Sequence, residues 1–140
     1  MESFFAWPLD INENEFNNKV AANFMKLKNN GLYFSDYFRA STGTIQNIYK
    51  TILGIPTPRE LSLERIREQY QNWETLPRVM KEHGYLPRFF YGGSLAWHRL
   101  YHFLNEAGFE QIYGENSVED VPHSRFGIFD EHLFDFVHNN

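Results

Sequence analysis

Ala40-Ser41-Thr42-Gly43-Thr44 is a run of small residues ending in a threonine, after which Ile45, Ile48 and Ile52 recur at helical spacing until Gly54 and Pro56 stop the pattern. A hydroxyl at the start of such a helix sits among unpaired backbone N–H groups and the positive end of the helix dipole. Both favour a bound phosphate and a developing oxyanion. If a metal ion lowers its pKa, the Thr44 hydroxyl becomes a nucleophile. The plainer alternative is that Thr44, Thr42 or Ser41 caps the helix, and the pattern alone leaves both readings open.

Three other groups have residue types that could do chemistry. Glu2 is a carboxylate beside an apolar stretch, and a strand-end carboxylate can bind Mn²⁺ or Mg²⁺, although a terminal Glu is ordinarily solvated. His98 and His102 stand at i, i+4 and could share a metal, but no Glu completes a zincin motif between them, so two polar-face histidines are the simpler reading. Trp97 and Arg99 follow Gly92-Gly93 and could grip an anionic head group, Arg by forked hydrogen bonds and Trp by its flat face. The default is a core Trp and a surface Arg.

The elements that must position these residues alternate between helix and strand. Phe16, Val20, Phe24 and Leu27 predict an amphipathic helix stopped by Gly31, and the aromatic stretch 32–38 predicts a buried strand. After the isoleucine helix, 57–59 reads as a loop and 61–70 as a charged, exposed excursion. Thr75-Leu76-Pro77 has the form of a helix start, with Thr as cap, Val79 and Met80 facing inward and Gly84 as the stop. A strand within 85–91 then runs into Gly92-Gly93. Trp97, Leu100, Tyr101 and Leu104 predict a helix closed by Gly108, and 109–113 a third strand. Beyond a polar loop, Asp130 is expected to cap a last helix with Leu133, Phe134 and Val137 on one face. This alternation predicts an α/β fold, a mostly parallel sheet with helices on both faces, and ligands bind such sheets outside the carboxyl ends of the strands, at the turns 40–44 and 92–94.

Composition narrows the function classes. The 140 residues are 42% hydrophobic and include 14 Phe, 8 Tyr and 3 Trp, enough apolar surface for a packed core and too much for disorder. Net charge is −5, from 13 basic and 18 acidic side chains with no basic block, which argues against a nucleic-acid partner. With no Cys there is no disulfide framework, thiolate metal site or Cys nucleophile. No apolar run approaches the roughly 18 residues of a membrane span, and residues 1–10 lack the features of a signal peptide.

Several segments, in this order, resemble the sulfatase domain of the alkaline phosphatase superfamily, in particular its lipoteichoic acid synthase and phosphoglycerol transferase branch. They are Met1-Glu2-Ser3-Phe4, the stretch 31–38, Ser41-Thr42-Gly43-Thr44 with its helix as far as Pro56, Leu76-Pro77 through Gly84-Tyr85 to Gly92-Gly93, and the stretches 105–109 and 127–134. The ordered set covers nearly the whole chain. Ser94 stands where the family often has an acidic residue, and Phe126 where it usually has Trp. The Cys-x-Pro-x-Arg or Ser-x-Pro-x-Arg signature of formylglycine sulfatases does not occur, which favours a phosphate ester over a sulfate ester.

The resemblance implies that Glu2 is a metal ligand, that Thr44 is the metal-bound catalytic nucleophile on Mn²⁺ or Mg²⁺, and that Trp97 and Arg99 bind substrate. The implied activity is transfer of phosphoglycerol from a lipid head-group phosphodiester. The alternatives are a phosphoethanolamine transferase, a sulfatase or phosphodiester hydrolase of the same superfamily, and a non-catalytic α/β binding domain. The family completes its metal site with an Asp-His pair and a further His from the second half of the domain. Residues 1–140 therefore read as the N-terminal portion of a catalytic domain, expected to have little activity in isolation and to self-associate through exposed sheet edges. The expected location is the cell membrane, with the catalytic domain extracytoplasmic and attachment through segments outside this chain.

Overall fold

In the computed structural model, residues 22–34, 41, 43–54 and 73–140 are described. They fall in two units, 1–39 and 40–140. In the first, helix α1 spans Ala22–Asn30, and the Asn30 side-chain amide returns a 2.8 Å bond to the Lys26 carbonyl ahead of Gly31. Leu27 on this helix is exposed, and Leu32 to Phe34 form no strand; Phe16, Val20 and residues 35–38 lie outside the described residues, as does 57–70.

The second unit is organised by two apolar helical stripes. Helix α2, Thr44–Leu53, buries Ile45, Tyr49, Ile52 and Leu53, one face at i, i+4, i+7 and i+8. Gly54 ends it at φ +67°, donating its N–H to the Lys50 carbonyl at 2.9 Å, a left-handed turn that glycine adopts without strain. Helix α3 spans Leu76–Glu82 and helix α4 spans Leu100–Ala107. Leu100, Phe103, Leu104 and Ala107 of α4 form one core cluster with the buried stripe of α2, where the Tyr49 and Phe103 ring centroids are 4.2 Å apart.

Strands β1, Arg88–Phe90, and β2, Gln111–Tyr113, flank α4 in sequence and pair in parallel, with Phe89 opposite Ile112 and Phe90 opposite Tyr113. Because side chains alternate across a strand, the two pairs face opposite ways. Phe89 and Ile112 pack on the α2–α4 core. Phe90 and Tyr113 stack at 4.8 Å on the other face and meet Phe136 edge-on at 6.0 and 5.4 Å. Phe136 belongs to helix α5, Asp130–Asn139, so helices cover both faces of the parallel pair.

Four local expectations are corrected. Thr75 occupies the N-cap of α3 but makes no capping bond; its buried hydroxyl donates to the Ala107 carbonyl at the end of α4. Arg78 donates to the Glu106 and Trp73 carbonyls at 2.8 and 3.0 Å, so a hydroxyl and a cation together satisfy the last carbonyls of α4 at its negative end. Met80 points outward. The helix expected from Trp97 is a 3₁₀ turn, Trp97–Arg99, followed by α4, and Trp97 and Tyr101 lie off the buried stripe. Phe129, not Asp130, is the N-cap of α5, and the inward residues are Leu133 and Phe136 while Phe134 and Val137 are exposed, because the aromatic surface to be covered is Phe90 and Tyr113. The polar loop after β2 also holds a two-residue antiparallel ladder, β3 (His123–Ser124) with β4 (Gly127–Ile128).

Thr75→Val keeps the shape of the side chain and leaves the Ala107 carbonyl without its donor. The urea midpoint is expected to fall, by the equivalent of about 1–3 kcal/mol. An unchanged midpoint would show that the bond contributes nothing to stability.

Candidate active site

Thr44 is the first residue of α2, and the N-cap position falls to Gly43, which is extended and has no side chain to cap with. The loop before the helix is shaped from behind by Asn47. Its side-chain oxygen accepts the Ser41 N–H at 2.8 Å, and its amide donates to the Ser41 and Gly43 carbonyls at 2.9 Å each. One side chain in the first turn thus fixes the backbone on both sides of position 42. The Asn47 N–H also bonds the Gly43 carbonyl, at 3.1 Å. The result is a half-buried threonine at a helix N-terminus whose entering loop is braced by the Asn47 side chain.

The second expected ligand region follows β1. The Gly92 carbonyl accepts the Ile128 N–H at 2.8 Å and the Gly93 carbonyl accepts the Glu115 N–H at 3.1 Å, so both acceptors are engaged in structure. Gly127, at φ +121°, lies so close to Gly92 that a Cβ there would overlap the Gly92 carbonyl oxygen. The β3–β4 ladder is therefore clamped on the Gly-Gly turn, and Phe126 projects beyond it, exposed, with the Arg125 guanidinium 4.7 Å from its ring centroid. Downstream, residues 94–101 are wound by Trp97 N–H to the Ser94 carbonyl at 3.1 Å, Arg99 N–H to Ala96 and Tyr101 N–H to Leu95, both at 3.0 Å.

Trp97 and Arg99 sit in that wound segment, both exposed. The indole stacks on Tyr91 at 6.3 Å and meets the His98 ring edge-on at 4.7 Å. His98 and Arg99 have φ of +49° and +55°, two consecutive left-handed residues with no glycine between them. From α2, the Tyr49 hydroxyl donates to the His98 carbonyl at 3.4 Å, linking the helix that begins with Thr44 to the segment that carries Trp97 and Arg99. Burial pushes the Tyr49 hydroxyl up to about 12, so it stays protonated and able to donate.

The i, i+4 spacing of His98 and His102 does not put them on one helical face, because the α-helix begins only at Leu100. Glu2 lies outside the described residues. Among the described residues no three His, Asp or Glu side chains stand together as a metal site, and no helix is long and apolar enough to cross a membrane. The described residues by themselves do not build a divalent-metal centre.

A parallel pair with helices on both faces is an α/β arrangement that comparison identifies. A protein of the alkaline phosphatase superfamily from Vibrio parahaemolyticus has the same fold over the matched region, with a TM-score of 0.67 and 22% identity. The match covers 76% of this chain and 26% of that one, so the chain spans about a quarter of the length of that structure. The sulfatase family matches residues 1–140, and the chain belongs to that family. No curated protein matches it at a significant level.

Sequence reasoning singled out Thr44, Trp97 and Arg99 but not the residues around them. Asn47 carried a signal, an amide side chain in the first turn behind a Ser/Thr/Gly loop. Tyr49 carried only that of a core residue, and Gly127 that of a family motif.

Two outcomes follow from this geometry. Gly127→Ala forces a side chain into the Gly92 carbonyl at a backbone angle that L-residues avoid, so it is expected to unfold the β3–β4 clamp and lower the melting temperature, whereas a melt identical to the unaltered protein would refute the close approach. Tyr49 is neutral in both folded and unfolded chains below pH 10; above it the unfolded chain ionises first, so stability falls as pH rises from 10 toward 12. Denaturant titrations across that range should show Tyr49→Phe losing less stability than the unaltered protein. Equal losses would place the alkaline instability elsewhere.

Proposed function

We propose that the chain contributes the nucleophile and part of the substrate grip of a phosphoryl transferase of the sulfatase family, with a lipid-derived phosphodiester as donor and phosphoglycerol as the transferred group. The reading rests on Thr44 opening α2 behind an extended Gly43 and an Asn47-braced loop. Its hydroxyl oxygen attacks phosphorus, the lipid alcohol departs, and the phosphoglyceryl threonine is resolved by an acceptor hydroxyl or by water. The first-turn N–H groups of α2 favour the negative charge that builds on the non-bridging oxygens.

Trp97 and Arg99 hold the glycerophosphate, Arg99 by paired hydrogen bonds to phosphate oxygens and Trp97 by its flat face against the glycerol carbons. A phosphate rather than a sulfate ester is supported by the threonine at the nucleophile position and by the lack of any formylglycine signature in the sequence. Mn²⁺ or Mg²⁺ would be held by Glu2 and Thr44 with further ligands from outside this chain, and would supply Lewis-acid chemistry. In this reading the chain is the N-terminal portion of a catalytic domain that works outside the cytoplasm at the cell membrane.

In the intact protein, Thr44→Ala is expected to reduce release of diacylglycerol from phosphatidylglycerol by on the order of 10³-fold or more, with the fold retained by circular dichroism. Thr44→Ser should keep part of the activity. An unchanged rate in Thr44→Ala removes Thr44 as nucleophile. Faster turnover of phosphatidylethanolamine, or of an aryl sulfate, would reassign the donor.

A further inference from the structure

His98 and Arg99 are held in a left-handed conformation that is unfavourable for L-residues, and such backbone persists only where its surroundings impose it. The segment supplies part of the restraint through its own turn bonds. A further hydrogen bond comes from another element. The His98 carbonyl lies in the peptide plane that joins the two left-handed residues, so a donor on that oxygen fixes the orientation of the plane between them. The Tyr49 hydroxyl is that donor, and it is mounted rigidly: its residue is 6% exposed and its ring packs 4.2 Å from Phe103 in the core. Arg99 and Trp97 are on either side of His98, so relaxation of residues 98 and 99 out of the left-handed region would change the course of the backbone between them and redirect the two side chains relative to each other.

Resting on the function proposed above, we infer that Tyr49 is a positioning residue, whose hydroxyl holds the left-handed His98–Arg99 backbone so that Arg99 and Trp97 are set to receive a phosphate ester. It touches no substrate itself. Its place on α2, five residues from Thr44, makes the nucleophile's helix also the support of the substrate grip, and the distance between the two parts of the site is set by one rigid element.

The test uses the intact protein and glycerol 1-phosphate as the binding probe. Tyr49→Phe keeps the ring in the core and removes only the donor. Its dissociation constant for the probe is expected to rise roughly fivefold, equivalent to about 1 kcal/mol, with KM for phosphatidylglycerol rising by a similar factor and kcat nearly unchanged. Because Tyr49 acts through Arg99, Tyr49→Phe should add little in an Arg99→Ala background. Unchanged binding in Tyr49→Phe, effects that add in the double variant, or a fall confined to kcat would overturn the inference and leave the role of Thr44 intact. Coupled loss of binding alongside full turnover in Thr44→Ala would sustain the positioning role and sink the proposed nucleophile. Failure of the unaltered protein to bind the probe would overturn the grip by Trp97 and Arg99, and the inference with it.

Discussion

The packing of α2 on α4 is the contact on which the rest of the second unit depends. It buries the isoleucine stripe of α2 against Leu100, Phe103, Leu104 and Ala107, and it supports one face of the parallel strand pair through Phe89 and Ile112. At its centre Tyr49 is both an apolar ring in the core and a hydrogen-bond donor at the core's edge. Burial of a tyrosine is favourable for the ring and requires a partner for the hydroxyl, and here the partner is the carbonyl of a strained peptide. The same side chain thereby satisfies its own buried hydroxyl and restrains backbone that would otherwise relax.

A second constraint works at the carboxyl end of β1. Gly92 and Gly127 approach so closely that neither backbone could do so with a side chain on Gly127, and the short β3–β4 ladder is pinned to the strand end by the bond from Ile128 to Gly92. This closes the carboxyl end of β1 on one side and directs the chain into the wound segment 94–101. The position of Trp97 and Arg99 is thus set from two directions, by a glycine clamp upstream and by a tyrosine from the neighbouring helix. Thr75 and Arg78 hold the far end of α4 by occupying its last carbonyls, so the helix that carries the core stripe is fixed at both termini.

Much of this was legible in the sequence. The spacing of Ile45, Ile48 and Ile52 with Gly54 behind them gives α2 almost to the residue, Gly108 marks the end of α4, and the aromatic runs on either side of α4 give a parallel pair with alternating faces. What was not legible depends on contacts between distant residues. Thr75 has the local form of a helix cap, yet the nearby carbonyl of Ala107 takes its proton. Trp97 and Tyr101 fit a helical period, but two left-handed residues start α4 late and turn both side chains off the stripe. The β3–β4 ladder is too short to leave a hydrophobic pattern and exists because Gly127 meets Gly92. At the site, residue types suggested Thr44, Trp97 and Arg99, while Asn47 and Tyr49, which brace the backbone around them, are ordinary helix residues until their partners are known.

In the proposed reaction the Thr44 hydroxyl forms a covalent bond to phosphorus. This step is tested most directly by brief exposure of the intact protein to phosphatidylglycerol, acid quench, proteolysis and mass spectrometry of the peptide that contains Thr44. A phosphoglycerol adduct is expected on that peptide, assigned to Thr44 by fragmentation and missing from Thr44→Ala. An adduct on another residue, or turnover with no adduct under quench conditions that preserve a phosphothreonine standard, would contradict it.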